Sequence, residues 1–431
     1  MALTLRLVNL WQLSGTPVAD LLFGDGRAYD AWARSILAGP WMGREVFYQA
    51  PLYPYFLAVV YAVAGPSLLA VRLLQTALGV AACIWLGFAG RRFFSPAVGQ
   101  LAALGLAIWP SAIFADGVIQ KTALDSALIC AFLATLAVAI DKTSFRWWMT
   151  GGLVLGILAL TRENALALVP TTLLVIAAGW HAGPPGARRA PAVAALLLGV
   201  TLVLSPVTLR NHSFSGEWHL TTAQFGPNFF IGNHAGATGI YAPLRYGRGD
   251  ALYERQDATE LAEAALGRPL TPGEVSSYWT DRALAFIGEQ PVEWAALLAR
   301  KSALLVNSEE VADTEDQYTH AELSIALAIL GPLFNFGFLT PLAAAGVVLA
   351  WPRRRTLAPL LLIGGVYGAS VVATYVMARY RHPLLPLLLL FAASALIDAR
   401  RLWRAGARRP LAFAALAATL VAVPANWPLV S

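Results

Sequence analysis

Polar and charged side chains gather in the stretch 20–61, just ahead of the first long apolar run. Asp25, Arg27, Tyr29, Asp30 and Glu45 lie in it, and aromatic residues follow them. Carboxylates exchange protons and arginines hold anions, so such a cluster can support acid–base chemistry on a charged substrate. Packing against lipid does not explain this cluster of charged residues. We interpret the stretch as an active-site loop lying against a bilayer, with residues 20–51 as its catalytic part.

Asp25 has a glycine on each side in the segment FGDGRAYD. Glycine lets a backbone approach a ligand closely, which favours a catalytic Asp25. The alternative is an aspartate that stabilises a turn or caps a helix. Asp30, one or two helical turns later, is more simply explained as a solvated surface residue.

A second polar segment, DGVIQKTALD, begins at Asp116. Lys121 and Asp125 are four residues apart and share a helix face, and Asp125 lies inside the next apolar run. An ionisable group inside a membrane segment is costly, which makes it a candidate functional residue. The alternative is a Lys121–Asp125 pair that neutralises itself.

Two short polar turns add further charges between apolar runs. Arg162 and Glu163 belong to the turn REN, which is either a self-paired turn or part of a site. Arg379 and Arg381 belong to the turn RYRHP. Their side chains could snorkel to lipid headgroups. A phosphate site explains the choice of arginine better, because arginine binds phosphate bidentately.

The composition places these segments in a membrane protein. The 431 residues are 58% hydrophobic and 13% charged, whereas soluble domains have about 25% charged residues. The net charge of +6 comes from short arginine clusters and does not indicate nucleic-acid binding. Cys83 and Cys130 both lie in apolar runs, so we predict packing roles and no disulfide framework.

Apolar runs recur along most of the chain and predict an all-α polytopic membrane protein with about 10–12 transmembrane helices. The run 52–64 is shorter and predicts an interfacial or re-entrant helix. The opening MALTLRLVNLWQL is too short to span a bilayer and is interpreted as the second half of a spanning helix. The runs lie at about 67–90, 97–114, 121–140, 148–162, 164–181, 190–207, 338–351, 356–376, 383–398 and 410–426.

Basic residues alternate with these runs and predict the orientation, because cytoplasmic loops are enriched in lysine and arginine. The polar turns and the stretch 208–322 then lie on the opposite, extracytoplasmic side. We predict three parts: a membrane module 1–207, an extracytoplasmic region 208–322 and a membrane module 323–431. The basic residues are Arg91, Arg92, Lys142, Arg146, Arg188, Arg189, Arg353, Arg354, Arg355, Arg400, Arg401, Arg404, Arg408 and Arg409.

The extracytoplasmic region carries local helix signals. Thr271, Pro272 and Glu274 predict a helix start that runs to about Phe286. A second, amphipathic helix is predicted after Pro291, and it is expected to lie on the membrane surface. The segment NFFIGNHAGATGIYAP predicts an irregular loop. P-loop, GxGxxG, HExxH and CxxC motifs are absent from the sequence, which gives no support to nucleotide or zincin chemistry.

The order of motifs resembles a known family. It runs from the acidic opening loop through PLYPYFL, GRRFFS, a WP pair, LALTREN and RNHSFSGEW to RYRHPLLP. This is similar to the GT-C membrane glycosyltransferases, in the bacterial branch that includes protein mannosyltransferases and lipid A aminoarabinose transferases. The resemblance implies transfer of a sugar from a polyprenyl-phosphate donor to a hydroxyl of a protein, lipid or glycan, at the bacterial inner membrane, facing the periplasm.

The resemblance also assigns site residues. Asp25 would be the general base or help to hold a metal, and Asp125, or otherwise Asp116, would be a second acidic residue. Some relatives carry a glutamate just before the proline of the PL motif, where this chain has Tyr48 and Gln49. This difference weakens the case for a bound divalent cation. Substrate contacts are expected from Lys121, Arg162, Glu163, Arg379, Arg381, Tyr48 and Gln49.

Two other classes of function were weighed against this hypothesis. A transporter or flippase typically shows internal repeats and broken helices that meet at the midplane. The sequence shows no repeat, and its ionisable residues cluster at one surface. A non-catalytic scaffold protein of the cell envelope is the third alternative, and the sequence alone does not exclude it.

Overall fold

The computed structural model describes residues 1–142, 144–180 and 189–429, and this part of the chain forms helices and loops without a strand. Its helices are, in order, α1 (Ala2–Leu13), α2 (Gly24–Ala38), α3 (Leu52–Ala64), α4 (Leu68–Phe93), α5 (Pro96–Ile108), α6 (Pro110–Gly117), α7 (Thr122–Lys142), α8 (Phe145–Ala159), α9 (Leu168–Ala177), α10 (Arg189–Ser215), α11 (Phe225–Gly232), α12 (Ala251–Leu266), α13 (Pro272–Glu289), α14 (Pro291–Val306), α15 (Gln317–Leu323), α16 (Ile325–Leu330), α17 (Phe336–Ala350), α18 (Arg354–Ala373), α19 (Ala378–Arg381), α20 (Leu385–Arg404) and α21 (Arg408–Ala425).

Six helical segments of the described chain are long and apolar enough to cross a membrane: α4, α7, α10, the run Phe336–Ala373, the run Ala378–Arg404 and α21. Helices α5 and α6 make a seventh when taken as one span bent by 53°. The bend lies at Pro110, which has no amide hydrogen to donate to the preceding turn. The predicted all-α polytopic membrane fold is confirmed.

The predicted number of full-length spans is higher than the structure supports by helix length. Helices α3, α8 and the run Glu163–Ala177 are apolar but only 10–17 residues long. The two runs predicted at 338–351 and 356–376 correspond to α17 and α18, and the short 3₁₀ segment Trp351–Arg353 joins them. Apolar composition marks a membrane segment but does not show where its helix breaks or continues. Residues 52–64 form a separate short helix, as predicted.

One end of the bundle collects arginines from the predicted cytoplasmic clusters. At this end, Arg92 Nη1 lies 2.5 Å from Asp141 Oδ2 and joins α4 to α7. The Arg353 guanidinium lies 5.7 Å from the centroid of the Phe94 ring and joins the turn after α17 to the end of α4. Arg188, from the same predicted set, lies outside the described residues.

Glycines bring α8 and α10 into backbone contact. A Cβ built on Gly152 would lie 2.1 Å from the carbonyl oxygen of Leu196, and one on Gly199 would lie 2.3 Å from that of Met149. Both distances are far below van der Waals contact, so only glycine fits at these crossings. Cys83 and Cys130 are free and buried, as predicted.

The region 208–322 confirms one local prediction and corrects another. Thr271 and Glu274 form a capping box at the start of α13, which ends at Glu289. The segment NFFIG, predicted to be irregular, is instead the end of α11. Phe230 of α11 packs on Trp279 of α13 with ring centroids 4.7 Å apart. This tertiary contact outweighs the weak helix propensity of asparagine and glycine.

Candidate active site

Asp25 lies in the first turn of α2, where its carboxylate interacts favourably with the helix dipole. The preceding Gly24 has φ +44°, and a Cβ there would lie 2.2 Å from Thr314 Oγ1. A glycine is therefore required for the loop 307–316 to pack on the start of α2. Only 8% of Asp25 is exposed. The opening stretch thus brings a buried carboxylate to the boundary of the bundle, as the loop interpretation requires.

Arg379 forms an ion pair with this carboxylate. Arg379 Nη1 contacts Asp25 Oδ2 and lies 2.7 Å from Asp313 Oδ2. Burial raises the pKa of Asp25, but the charges of Arg379 and Lys121 outweigh it, so the pKa lies below its usual value. Asp25 is therefore a charged carboxylate at neutral pH, held by a guanidinium.

Asp125 and Arg162 form a second, fully buried ion pair. Arg162 Nε lies 2.6 Å from Asp125 Oδ2. The guanidinium also lies 4.8 Å from the centroid of the Tyr380 ring, while its Nη2 has no hydrogen-bond partner among the described residues. Asp125 therefore pairs with Arg162, not with Lys121 as in the self-neutralising alternative.

A cavity of 620 Å³ opens beside this pair. Lys121, Arg162, Glu163 and Tyr380 line it, together with residues 218–225 and 370–375. Glu163 accepts hydrogen bonds from Thr222 Oγ1 at 3.1 Å and Gln224 Nε2 at 2.5 Å, so the REN turn is not self-paired. The cavity is large enough for a sugar phosphate and part of its lipid.

Lys121 is the second cation of the cavity. It is 7% exposed, and burial lowers its pKa. Its ammonium forms no ion pair with the carboxylates that the structure describes within 4.0 Å. The buried ammonium and the free N–H of Arg162 both line the cavity, so each could donate a hydrogen bond to an anion there.

Tyr48 and Gln49 meet a carboxylate that sequence reasoning missed. Gln49 Nε2 lies 3.4 Å from Glu254 Oε2, and Tyr48 and Glu254 line the same small void. Glu254 lies in the first turn of α12, among charged residues of an exposed helix. The only sequence signal was the N-cap, since Asp250 Oδ1 accepts from the Leu252 amide at 3.0 Å.

Of the predicted site residues, Lys121, Arg162 and Glu163 line the cavity, whereas Asp25, Asp125, Arg379, Tyr48 and Gln49 do not. Asp116 and Arg381 do not line it either. Asp116 pairs with Arg6 at 2.5 Å inside the bundle and does not line the cavity. Arg381 is fully buried. Its guanidinium lies 2.8 Å from Glu310 Oε2 and donates to the carbonyl oxygen of Asn307 at 2.7 Å. These partners engage the charged groups of both residues, and neither residue lines the cavity.

Asp30 is more engaged than a solvated surface residue. It accepts hydrogen bonds from the Tyr61 hydroxyl and from Arg34 Nε, each at 2.7 Å. The Tyr61 contact joins α2 to α3, whereas Arg34 is on α2 itself. Asp30 thus has a structural role in the opening loop and lies apart from the Asp25–Arg379 pair.

The side chains around Asp25 do not provide a metal site. Among the described residues, no group of three or more His, Cys, Asp or Glu side chains is placed to hold a metal ion. The Asp25 carboxylate, the metal ligand that the resemblance suggested, is engaged by Arg379. The described residues around Asp25 do not fit a divalent cation.

A family model and solved structures both support the resemblance. Residues 48–209 match the family model described as dolichyl-phosphate-mannose-protein mannosyltransferase. This segment includes Tyr48, Lys121, Asp125 and Arg162. A search of curated proteins finds no significant match.

Solved structures share the fold. The oligosaccharyltransferase of Archaeoglobus fulgidus in its apo form is 15% identical, covers 99% of this chain and 54% of its own, and has a TM-score of 0.54. The structure of the same enzyme with Zn and sulfate is 13% identical, covers 100% of this chain and 52% of its own, and has a TM-score of 0.51. ArnT from Cupriavidus metallidurans bound to undecaprenyl phosphate is 17% identical over 92% of this chain and 77% of its own, with a TM-score of 0.40.

The chain therefore shares the fold of the archaeal oligosaccharyltransferase, and its segment 48–209 matches the protein mannosyltransferase family model, which supports the resemblance inferred from the sequence. The chain spans about half the length of the oligosaccharyltransferase structures that it matches. The comparisons give no support to the transporter hypothesis.

Proposed function

We propose that the protein is a glycosyltransferase that moves a sugar from a polyprenyl-phosphate donor to an acceptor hydroxyl of a protein, lipid or glycan. The observation that carries the proposal is the pair of buried cations, Lys121 and Arg162, at one end of the 620 Å³ cavity. The matching family model is named for a dolichyl-phosphate-linked sugar, so its donor has the phosphate that such cations suit.

The cations support departure of the leaving group. A lipid phosphate leaves as an anion, so it needs positive charge more than a strong general acid. Arg162 Nη2 and the Lys121 ammonium can each donate a charge-assisted hydrogen bond to its oxygens. Arg379 lies next to Tyr380, with its guanidinium 5.2 Å from the ring centroid, and adds positive charge on the side of Asp25.

A donor held by its lipid tail also explains the absence of a nucleotide-binding motif from the sequence. The arginine clusters at the opposite end of the bundle favour an active site that faces away from the cytoplasm. For a bacterial chain that side is the periplasm, and the membrane is the inner membrane.

The test is sugar transfer by the purified protein in lipid nanodiscs, with radiolabelled sugars on undecaprenyl phosphate and a panel of hydroxyl acceptors. Lys121→Ala should raise the donor KM about 10–100-fold, because a hydrogen bond to a charged group contributes about 1.5–3 kcal/mol. Lys142→Ala, at the exposed opposite end of α7, is the matched control and should leave KM unchanged.

Two results would reject the proposal. One is absence of transfer from every polyprenyl-phosphate sugar tested with the folded wild-type protein. The other is transfer with the same donor KM in Lys121→Ala as in the wild type, since the cation site would then not hold the phosphate.

A further inference from the structure

Glu254 stands next to a polar void with room for a single hydroxyl group. The void measures 10 Å³, about the space that one water molecule needs. Tyr48, Tyr241 and Asn228 line it together with Glu254. Asn228 also lines the large cavity, so the void beside Glu254 and the proposed donor site share this residue.

Contacts with the opening loop hold α12 in this place. Arg27 pairs with Asp250, and Glu45 pairs with Arg255. These two ion pairs flank Glu254, and Gln49 donates to Glu254 itself. The loop that presents Asp25 therefore also contacts α12 on both sides of Glu254, although the two carboxylates lie more than 200 residues apart in the chain.

The two carboxylates have different surroundings. Asp25 is bound by the guanidinium of Arg379, which also contacts Asp313, and a carboxylate held in this way is a weak proton acceptor. Glu254 forms no ion pair with the basic residues that the structure describes. A pair of acidic groups in such unequal surroundings is typical of a division of roles at an active site.

We propose that Glu254 is the general base that takes the proton of the acceptor hydroxyl, while Asp25 stays charged and holds Arg379. This inference rests on the proposed function. The acceptor oxygen attacks the anomeric carbon of the donor sugar, and the bond from that carbon to the phosphate oxygen breaks. The electron pair leaves with the lipid phosphate, and the hydroxyl proton passes to the Glu254 carboxylate.

The surroundings of Glu254 place its titration near neutral pH. Burial and the negative charge of Asp25 raise its pKa to about 7, although contacts with Tyr241 and Gln49 and the charge of Arg379 oppose the rise. Below pH 7 the group is protonated and cannot accept a proton, so transfer should fall as the pH falls. The ionisable groups around it are Asp25 of α2, Tyr48 of the opening loop, Tyr241 and Arg248 before α12, Asp257 of α12 itself, and Tyr375, Arg379 and Tyr380 of the segment 374–381.

The experiment measures sugar transfer against pH in nanodiscs, with binding of undecaprenyl phosphate as a separate readout of folding and of the donor site. Glu254→Gln should lower kcat about 10²–10⁴-fold, the usual effect of removing a general base. It should abolish the acidic limb of the pH profile and leave undecaprenyl phosphate binding unchanged. Glu254→Asp should keep the acidic limb of the pH profile but transfer sugar more slowly than the wild type.

The matched control is Glu260→Gln on the same helix. Glu260 pairs with Arg245 at the surface, and loss of an exposed pair has little effect, so transfer should stay at the wild-type rate. If Glu254→Gln transfers sugar at the wild-type rate with the acidic limb intact, Glu254 is not the base. Loss of all transfer in the wild type would instead reject the proposed function.

Discussion

The fold joins Asp25 and Arg379 across 354 residues of sequence, and this pair changes the role expected for each. Asp25 was predicted as a base or a metal ligand, and Arg379 as a phosphate ligand. The ion pair keeps Asp25 charged, and in turn Asp25 and Asp313 hold the guanidinium next to Tyr380, which lines the cavity. Arg379 can still donate, since its Nε has no partner among the described residues.

Asp25→Asn tests this pair at the residue scale. Asparagine can still stabilise the start of α2 but cannot form the ion pair, so Arg379 should turn towards Asp313. We expect transfer to fall about 10–100-fold, in line with a charged contact of about 1.5–3 kcal/mol. Asp30→Asn is the control, because Asp30 contacts only Arg34 and Tyr61 in the structure. Equal rates for both variants would remove Asp25 from the site.

Arg381→Ala should act on stability. Arg381 pairs with the buried Glu310 and donates to several backbone carbonyls. Removing one partner of a buried ion pair costs about 3–5 kcal/mol. Unfolding in detergent should show this loss, while the donor KM of the folded fraction stays normal. Arg400→Ala, at an exposed site on α20, should unfold like the wild type. A stable Arg381→Ala protein with a raised donor KM would restore Arg381 to the site.

At the scale of elements, the crossing of α8 and α10 supports the cavity. The REN turn follows α8 directly, and residues 218–225 follow α10. The distance between these helices therefore determines where Arg162 and the wall of the cavity lie. Gly152 and Gly199 allow this distance to be short.

Gly199→Ala should therefore destabilise the protein. The new methyl group would lie 2.3 Å from the carbonyl oxygen of Met149, and overpacking of this kind costs about 1–3 kcal/mol. Gly365→Ala in α18 is the control, because a Cβ there meets nothing within 4 Å. Unfolding in detergent, followed by circular dichroism, compares the two. Similar unfolding midpoints for the two variants would show that α8 and α10 can move apart without loss of stability.

At the scale of the whole molecule, the structure places the arginine-rich loop ends opposite the cavity. The orientation in the membrane is testable with a membrane-impermeant maleimide on intact cells. Gly236→Cys should be labelled from outside, and Arg404→Cys should be labelled only after permeabilisation. Cys83 and Cys130 are buried, so they should contribute little background. The reverse pattern would place the cavity in the cytoplasm and overturn the proposed function.

The sequence by itself determined the class of the protein. Apolar composition, the length of the runs and the spacing of arginines are local properties, and membranes impose them directly on a chain. The capping box at Thr271 was likewise readable because its partners are three residues apart. The interpretation of the opening loop as a site rested on its local density of charges, and it stays a prediction.

Only the tertiary structure decided the partner of each charge. Asp125 meets Arg162 across 37 residues, Asp116 meets Arg6 across 110, and Glu254 meets Gln49 across 205. No local pattern encodes such pairs, because they depend on which helix ends meet at the membrane boundary. A buried arginine such as Arg381 and a cavity cation such as Lys121 look alike in sequence. Their difference lies in whether the fold supplies a carboxylate or leaves the charge free for a ligand.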